Sequence, residues 1–220
     1  MAEKEQETPR KKSAHDPGER LLEWIQAKKR SLTLGAGAVA LIGGSMWFMQ
    51  TAQARREAFA SNSLQQARFA AESGNLSLAA SDLGRIVSDY GGTRAGEDAT
   101  ILLARVRLQQ GNAETAVSEL RAFMNSGPEE DFRSPAQALL GTALESMGSF
   151  AEASRAFENA ASDSQYPHLR AQLLVDAARA ANLAGDEQRA IAIYDRILAQ
   201  EVESPAANEA RLRRAEIARS

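Results

Sequence analysis

The sequence predicts an all-α protein in which a single N-terminal transmembrane helix precedes a solenoid of four helix pairs and a closing helix. Three observations predict it. Gly74, Gly111, Gly148 and Gly185 recur at a fixed interval of 37 residues. Ala67, Ala104, Gly141 and Ala178 stand seven residues before these glycines, and Ala79, Ala116, Ala153 and Ala190 five residues after them. Finally, Ser31 to Ala54 runs for 24 positions without a charged residue. A fixed period repeated four times marks a stacked-repeat architecture, in which each unit buries its apolar face only against its neighbours.

Within one repeat the order is helix, glycine turn, N-cap, helix. Glycine enters the left-handed conformation past a helix C-terminus without a Cβ clash, so each ladder glycine marks the end of a first helix. The next residue is Asn75, Asn112, Ser149 or Asp186. Each can accept a hydrogen bond from the free amides of a following first turn. Nine and twelve residues after the glycines come Leu83 and Ile86, Leu120 and Phe123, Phe157 and Ala160, and Tyr194 and Ile197. That spacing predicts a buried stripe on the second helix, and the small-residue columns predict close approach of the two helices.

The arrangement resembles the tetratricopeptide repeat (TPR), on Leu140, Gly141, Gly148, Phe150, Ala153, Phe157 and Ala160 above all. Pro128, Pro167 and Pro205 lie near the closing positions of that repeat. The period is 37 where the family has 34, and Ala70, Arg107 and Ala181 replace its first-helix aromatics. The resemblance implies helix pairs near residues 60–96, 97–133, 134–170 and 171–205, closed by a polar helix over 206–219.

Taken from the N-terminus, residues 1–30 are a tail rich in Lys, Glu, Arg and Pro, ending in an amphipathic juxtamembrane segment with Leu21, Leu22, Trp24 and Ile25. Residues 1–17 are too polar to bury enough surface to offset the entropy of ordering them, whereas 18–30 are expected to lie on a membrane surface. Residues 31–54 are long enough to span about 30 Å of hydrocarbon, with Trp47 and Phe48 at the far end suited to the headgroup zone. Ala36, Ala40 and Gly44 form a small-residue stripe of the kind that packs membrane helices, though ordinary composition accounts for it equally well. A cleaved signal peptide is the competing reading, because Ala52-Gln53-Ala54 has the small-x-small form, but the apolar core exceeds the usual length.

Lys11, Lys12, Arg20, Lys28, Lys29 and Arg30 before the span outnumber Arg55, Arg56 and Arg68 after it. The bias predicts a cytoplasmic N-terminus and residues 55–220 in a periplasm, at a bacterial inner membrane crossed once. In the repeat part, Ser134-Pro135-Ala136-Gln137 combines an N-cap, a first-turn proline and a capping-box glutamine, and Ser149 with Glu152 does the same for the next helix.

Several function classes are excluded or left without support. A net charge of −3 and a pI near 5.6 do not supply the dense basic face that nucleic-acid binding needs. The chain has no cysteine, so it has neither disulfides nor thiolate metal ligands. Gly35-x-Gly37-x-x-Ala40 lacks the preceding strand of a dinucleotide site and lies within the apolar span. His15 and His168 are far apart, and Glu145 and Asp176 stand without a nucleophile. No catalytic, metal or cofactor site is expected, nor any small-molecule substrate.

One pattern points to binding. Arg68, Arg105, Thr142 and Arg179 follow the small packing residue of each first helix, and the TPR resemblance places this position on the concave side where polypeptide partners bind. Guanidinium groups there can hold carboxylates or backbone carbonyls. The competing reading pairs them with Asp98, Glu145 or Glu72 on a solvated face.

The whole layout resembles the bacterial ancillary SecYEG translocon subunit family (YfgM-like), with Glu19 to Arg30 leading into a Gly/Ala-rich span that ends in Trp47-Phe48. That resemblance implies a non-enzymatic membrane protein beside the translocon, with periplasmic chaperones as further partners. A membrane-tethered scaffold for a cell-division, respiratory or export complex is the alternative.

Overall fold

The computed structural model describes residues 29–199 and 203–219, with side chains from residue 43 onward. Of the tail and juxtamembrane segment expected over residues 1–30, residues 1–28 lie outside the described residues. So do the side chains of residues 29–42, which carry half of the expected membrane helix, the small residues Ala36 and Ala40, and the Gly35 motif. Among the described residues no helix is long and apolar enough to cross a membrane.

Nine α-helices follow one another among the described residues. They are α1 (Lys29–Glu72), α2 (Leu76–Tyr90), α3 (Arg94–Gln109), α4 (Ala113–Asn125), α5 (Glu130–Ser146), α6 (Phe150–Asp163), α7 (Pro167–Leu183), α8 (Glu187–Leu198) and α9 (Pro205–Ile217). The chain divides into two units, Met1–Ala52 and Gln53–Ser220. In the described part of the first, Met46, Trp47, Phe48 and Met49 follow one another around the circumference of α1, each at least 63% exposed. The second unit is a TPR-like helical solenoid of four pairs with α9 closing the stack.

The ladder glycines have the left-handed backbone their spacing predicts, with φ of 78°, 78°, 74° and 82° at Gly74, Gly111, Gly148 and Gly185. Each turn repeats one hydrogen-bond pattern. The amide after the glycine donates five residues back, from Asn75 to Ala70, Asn112 to Arg107, Ser149 to Leu144 and Asp186 to Ala181, at 2.8–3.0 Å. The glycine amide itself donates three residues back. This is the Schellman closure, which satisfies the carbonyls orphaned at a helix end. Capping by the next side chain is uneven: Asn75 accepts from the Leu78 amide and Asp186 from the Arg189 amide, whereas Asn112 and Ser149 make no side-chain cap bond. The capping box expected of Ser149 is therefore absent, because the Schellman turn already orders that segment through its backbone.

The packing columns are buried as expected. Ala67, Ala104 and Ala178, and all four alanines from Ala79 to Ala190, have 0% exposure. The stripe from Leu83 to Ile197 is buried throughout. In the third pair Gly141 takes the small position, and an added Cβ would stand 2.7 Å from the Phe157 ring. These residues form two buried clusters that meet at α3, whose Ala95, Ala99, Leu103 and Val106 face one and whose Ile101 and Ala104 face the other.

One expected boundary is corrected. Ser134-Pro135 does not open the fifth helix, which begins at Glu130 and carries Pro135 in its interior. Three contacts hold the extra turn: Phe132 packs against the core, Arg94 bridges Glu129 and Asp131, and Arg94 lies 5.1 Å above the Phe132 ring. Glu130 and Asp131 also favour the positive end of the helix dipole. Pro135 removes the amide that would bond the Asp131 carbonyl, and Asp131 is exposed, so water can hydrate it. Ser134 is instead buried, donating its hydroxyl to the Ala160 carbonyl at 2.9 Å.

Candidate functional site

Short turns reverse the chain after every helix, so the first helices α3, α5 and α7 run in the same direction. Ion pairs fix that register. At the N-terminal ends Arg94 reaches Glu129 at 2.6 Å and Asp131 at 2.7 Å, while the Glu129 amide donates to Glu97 at 3.1 Å. Towards the C-terminal ends Arg179 of α7 reaches Glu145 of α5 at 2.8 Å. Between these ties α3, α5 and α7 enclose a groove of about 590 Å³. Its walls include Arg105, Leu139, Thr142, Tyr166, Leu169 and Leu173.

The four residues singled out from the sequence meet different fates. Arg105 and Thr142 line this one groove. Thr142 is exposed and its hydroxyl donates to the Ala138 carbonyl of its own helix at 3.1 Å. Arg105 is exposed and has no ion-pair or hydrogen-bond partner among the described residues. No acid stands one turn away to occupy it, since Ile101, Leu102, Leu108 and Gln109 hold those positions. Arg68 is instead paired with Asp98 of α3. Arg179 is paired with both Glu145 and Asp176, the latter at 3.1 Å, and lines a separate cavity with Tyr194 and Arg213. Two of the three arginines thus have the acidic neighbours anticipated for a solvated face.

Electrostatics differ between the two places. Burial pushes the Glu145 carboxyl above its usual range, against the pull of Arg179. Burial alone would lower the Arg179 pKa, but its hydrogen bond to Asp176 and the charges of Glu145 and Asp176 raise it on balance. Burial also raises the Tyr194 phenol. At the other end Glu97 is raised by desolvation, partly offset by the bond from the Glu129 amide.

Sequence reasoning missed the apolar wall of the groove. Tyr166 is 62% exposed and Leu169 39% exposed, and the Tyr166 ring lies 6.0 Å from that of His168. The signal was the aromatic immediately before Pro167: a residue preceding proline is held extended, as Tyr166 is, and cannot fold its ring into the helix. Among the described residues no group of three or more His, Cys, Asp or Glu is placed to hold a metal ion. The groove as built can seat an extended chain between three parallel helices, with one uncommitted cation and an exposed aromatic and aliphatic wall.

A family model described as a tetratricopeptide repeat-like domain matches residues 23–194. No curated protein matches the sequence significantly. Among solved structures, the fold is similar to the nearly identical TPR-like repeats of a protein described as a kinesin light chain from Podosopora anserina. That match has a TM-score of 0.53 and 21% identity, covering 72% of this chain and 89% of the other. A single-substitution variant of the same protein gives 0.54 and 20% over the same shares.

Proposed function

Since this chain belongs to the tetratricopeptide repeat-like domain family, we propose that it is a membrane-anchored interaction protein that holds a polypeptide partner in the groove between α3, α5 and α7. The family's fold is an interaction scaffold, and one observation carries the reading here: Arg105 is the guanidinium of its column left uncommitted, and it lines an apolar-walled groove beside Thr142, Tyr166 and Leu169. An exposed arginine with no partner costs little to desolvate partially against a carboxylate or carbonyl, and stacking on Tyr166 adds area at low entropic cost.

Anchoring is supported by the uncharged run over residues 31–54 and by the exposed apolar girdle Met46–Met49 around α1. The basic excess before that run supports a periplasmic repeat unit at a bacterial inner membrane. The order of parts supports an ancillary role beside the SecYEG translocon, with periplasmic chaperones as further partners.

In-membrane cross-linking of the wild type and of Arg105→Gln, followed by mass spectrometry, tests this reading. Capture of translocon subunits by the wild type and its loss in Arg105→Gln, with unchanged melting, is the expected result. Full retention in the variant sinks the groove reading, and absence of any translocon subunit sinks the translocon assignment. Topology is tested by single cysteines at Ser13 and Ser126 with a membrane-impermeant maleimide in spheroplasts. Labelling at Ser13 but not Ser126 would refute a periplasmic repeat unit.

A further inference from the structure

The groove carries opposite charge at its two ends, and this extends the groove reading on which it rests. Lining its N-terminal end are Glu130, Asp131 and Asp163 against the single guanidinium of Arg94. Arg94 is already consumed by Glu129 and Asp131. Glu130 and Asp163 have no partner among the described residues. Glu130 has a structural reason to stand where it does, at the positive end of α5. Asp163 has none: it is the last residue of α6, where the helix dipole is already negative. An acid in that position is relieved by a cation, and no lysine or arginine among the described residues is bonded to it. The nearby Arg170 guanidinium donates instead to the Ser164 carbonyl at 2.7 Å.

The other end holds Arg105, equally without a partner among the described residues. Arg94 and Arg105 both line the groove and are eleven residues apart on α3, about 16 Å along its axis, which sets the scale of the groove's length. Between them the groove is lined by Leu173 and the partly buried Leu139, while the exposed Tyr166 and Leu169 stand at its acidic end, where α7 begins. An extended chain advances about 3.3 Å per residue and crosses that distance in about five residues.

We propose that the groove selects a dipolar polypeptide segment, one with a basic and an acidic side chain about five residues apart and apolar or aromatic residues between them. The basic group meets Asp163 and Glu130, the acidic group meets Arg105, and the apolar side chains cover the wall that runs from Tyr166 and Leu169 to Leu139 and Leu173. Chain direction is left free, since reversing the backbone and the charge order together restores the same match.

The test uses fluorescence anisotropy on the full 220-residue chain with four labelled peptides, each acetylated and amidated. These are Lys-Ala-Leu-Phe-Ala-Asp and its counterparts with Asp at both ends, Lys at both ends, and Gln and Asn at the ends. The dipolar peptide is expected to bind about tenfold tighter than the uncharged one, as two exposed charge pairs allow. Arg105→Glu makes both ends acidic and is expected to move the preference to the doubly basic peptide, with melting unchanged because residue 105 is exposed. Equal binding of all four, abolished by Leu169→Asp, keeps the groove as a peptide site and overturns the dipolar rule. An Arg105→Glu protein that keeps the wild-type order also overturns it, and absence of binding by every peptide overturns groove and rule together.

Discussion

The Phe157 ring lies directly beneath Gly141, so that a Cβ at residue 141 would meet three of its ring carbons at 2.7–2.8 Å. The equivalent pairs are Ala67 with Leu83, Ala104 with Leu120 and Ala178 with Tyr194. Relative to the first two, the third pair has exchanged a methyl group for a larger aromatic ring; the fourth keeps both alanine and an aromatic. Gly141→Ala gains up to about 1 kcal/mol of helix propensity but overpacks a buried site at about 1 to 3 kcal/mol. We expect a net loss of about 1 kcal/mol in thermal or urea unfolding. Adding Phe157→Leu is expected to restore part of that loss, because the double variant recreates the Ala–Leu combination of the first two pairs. A rise in Tm for Gly141→Ala alone would show that the ring is free to move aside.

Glycines elsewhere in the repeats are not equivalent to the ladder. Gly111 sits at φ 78° with open space around it, so an alanine there meets backbone strain and no steric obstacle. Gly84 lies inside α2, also with nothing within 4 Å of an added Cβ. Gly111→Ala is expected to destabilise by about 1 to 2 kcal/mol and Gly84→Ala to stabilise by up to about 1 kcal/mol. Melting temperatures moving in the same direction for both would contradict the proposed turn.

Glu145 provides a test in pH. Burial first, against the pull of Arg179, raises its folded-state pKa above the ordinary value of 4.5. The folded protein therefore holds this proton more firmly than the unfolded chain. Its contribution is fully present below pH 4.5 and is lost as pH rises through the raised folded-state pKa. Glu145→Gln mimics the protonated form at every pH. The Tm of this variant relative to wild type is expected to climb across that window, and a difference that shrinks with rising pH would reverse the assignment.

Much of the fold was legible because four copies of one unit can be laid over each other. The left-handed glycines, the alanine columns and the Leu83-to-Ile197 stripe each answer to a single local requirement, and repetition separates such a requirement from coincidence. The start of α5 was not legible. Ser134-Pro135 is a sound local helix-start signal, overridden by Phe132 entering the core and by an Arg94 that lies 35 residues before Glu129. The site was legible as a column and not as a groove. Arg68 and Arg179 occupy the same repeat position as Arg105, but whether an acid stands opposite depends on Asp98 and Glu145 in neighbouring helices, which no single unit reveals. Tyr166 and Leu169 escaped because a turn outside the repeated core has no counterpart to compare it with.

The two faces of α3 belong to different buried clusters, which makes the repeat unit mechanically uneven. Force applied to the chain at the N-terminal side of the repeat unit loads the contacts of Ala60, Leu64 and Ala67 with Leu83 and Ile86 before it reaches Ile101 and Ala104. In a chain built of nearest-neighbour interfaces such a load is shed one unit at a time. We expect the first pair to yield first under such tension, with α3 left seated on α4 and α5 and keeping the wall that carries Arg105. Optical-tweezer traces pulled from residues 53 and 219 should show a short first extension matching residues 53–90 alone; a single all-or-none rip would mean that α3 transmits the strain instead of stopping it.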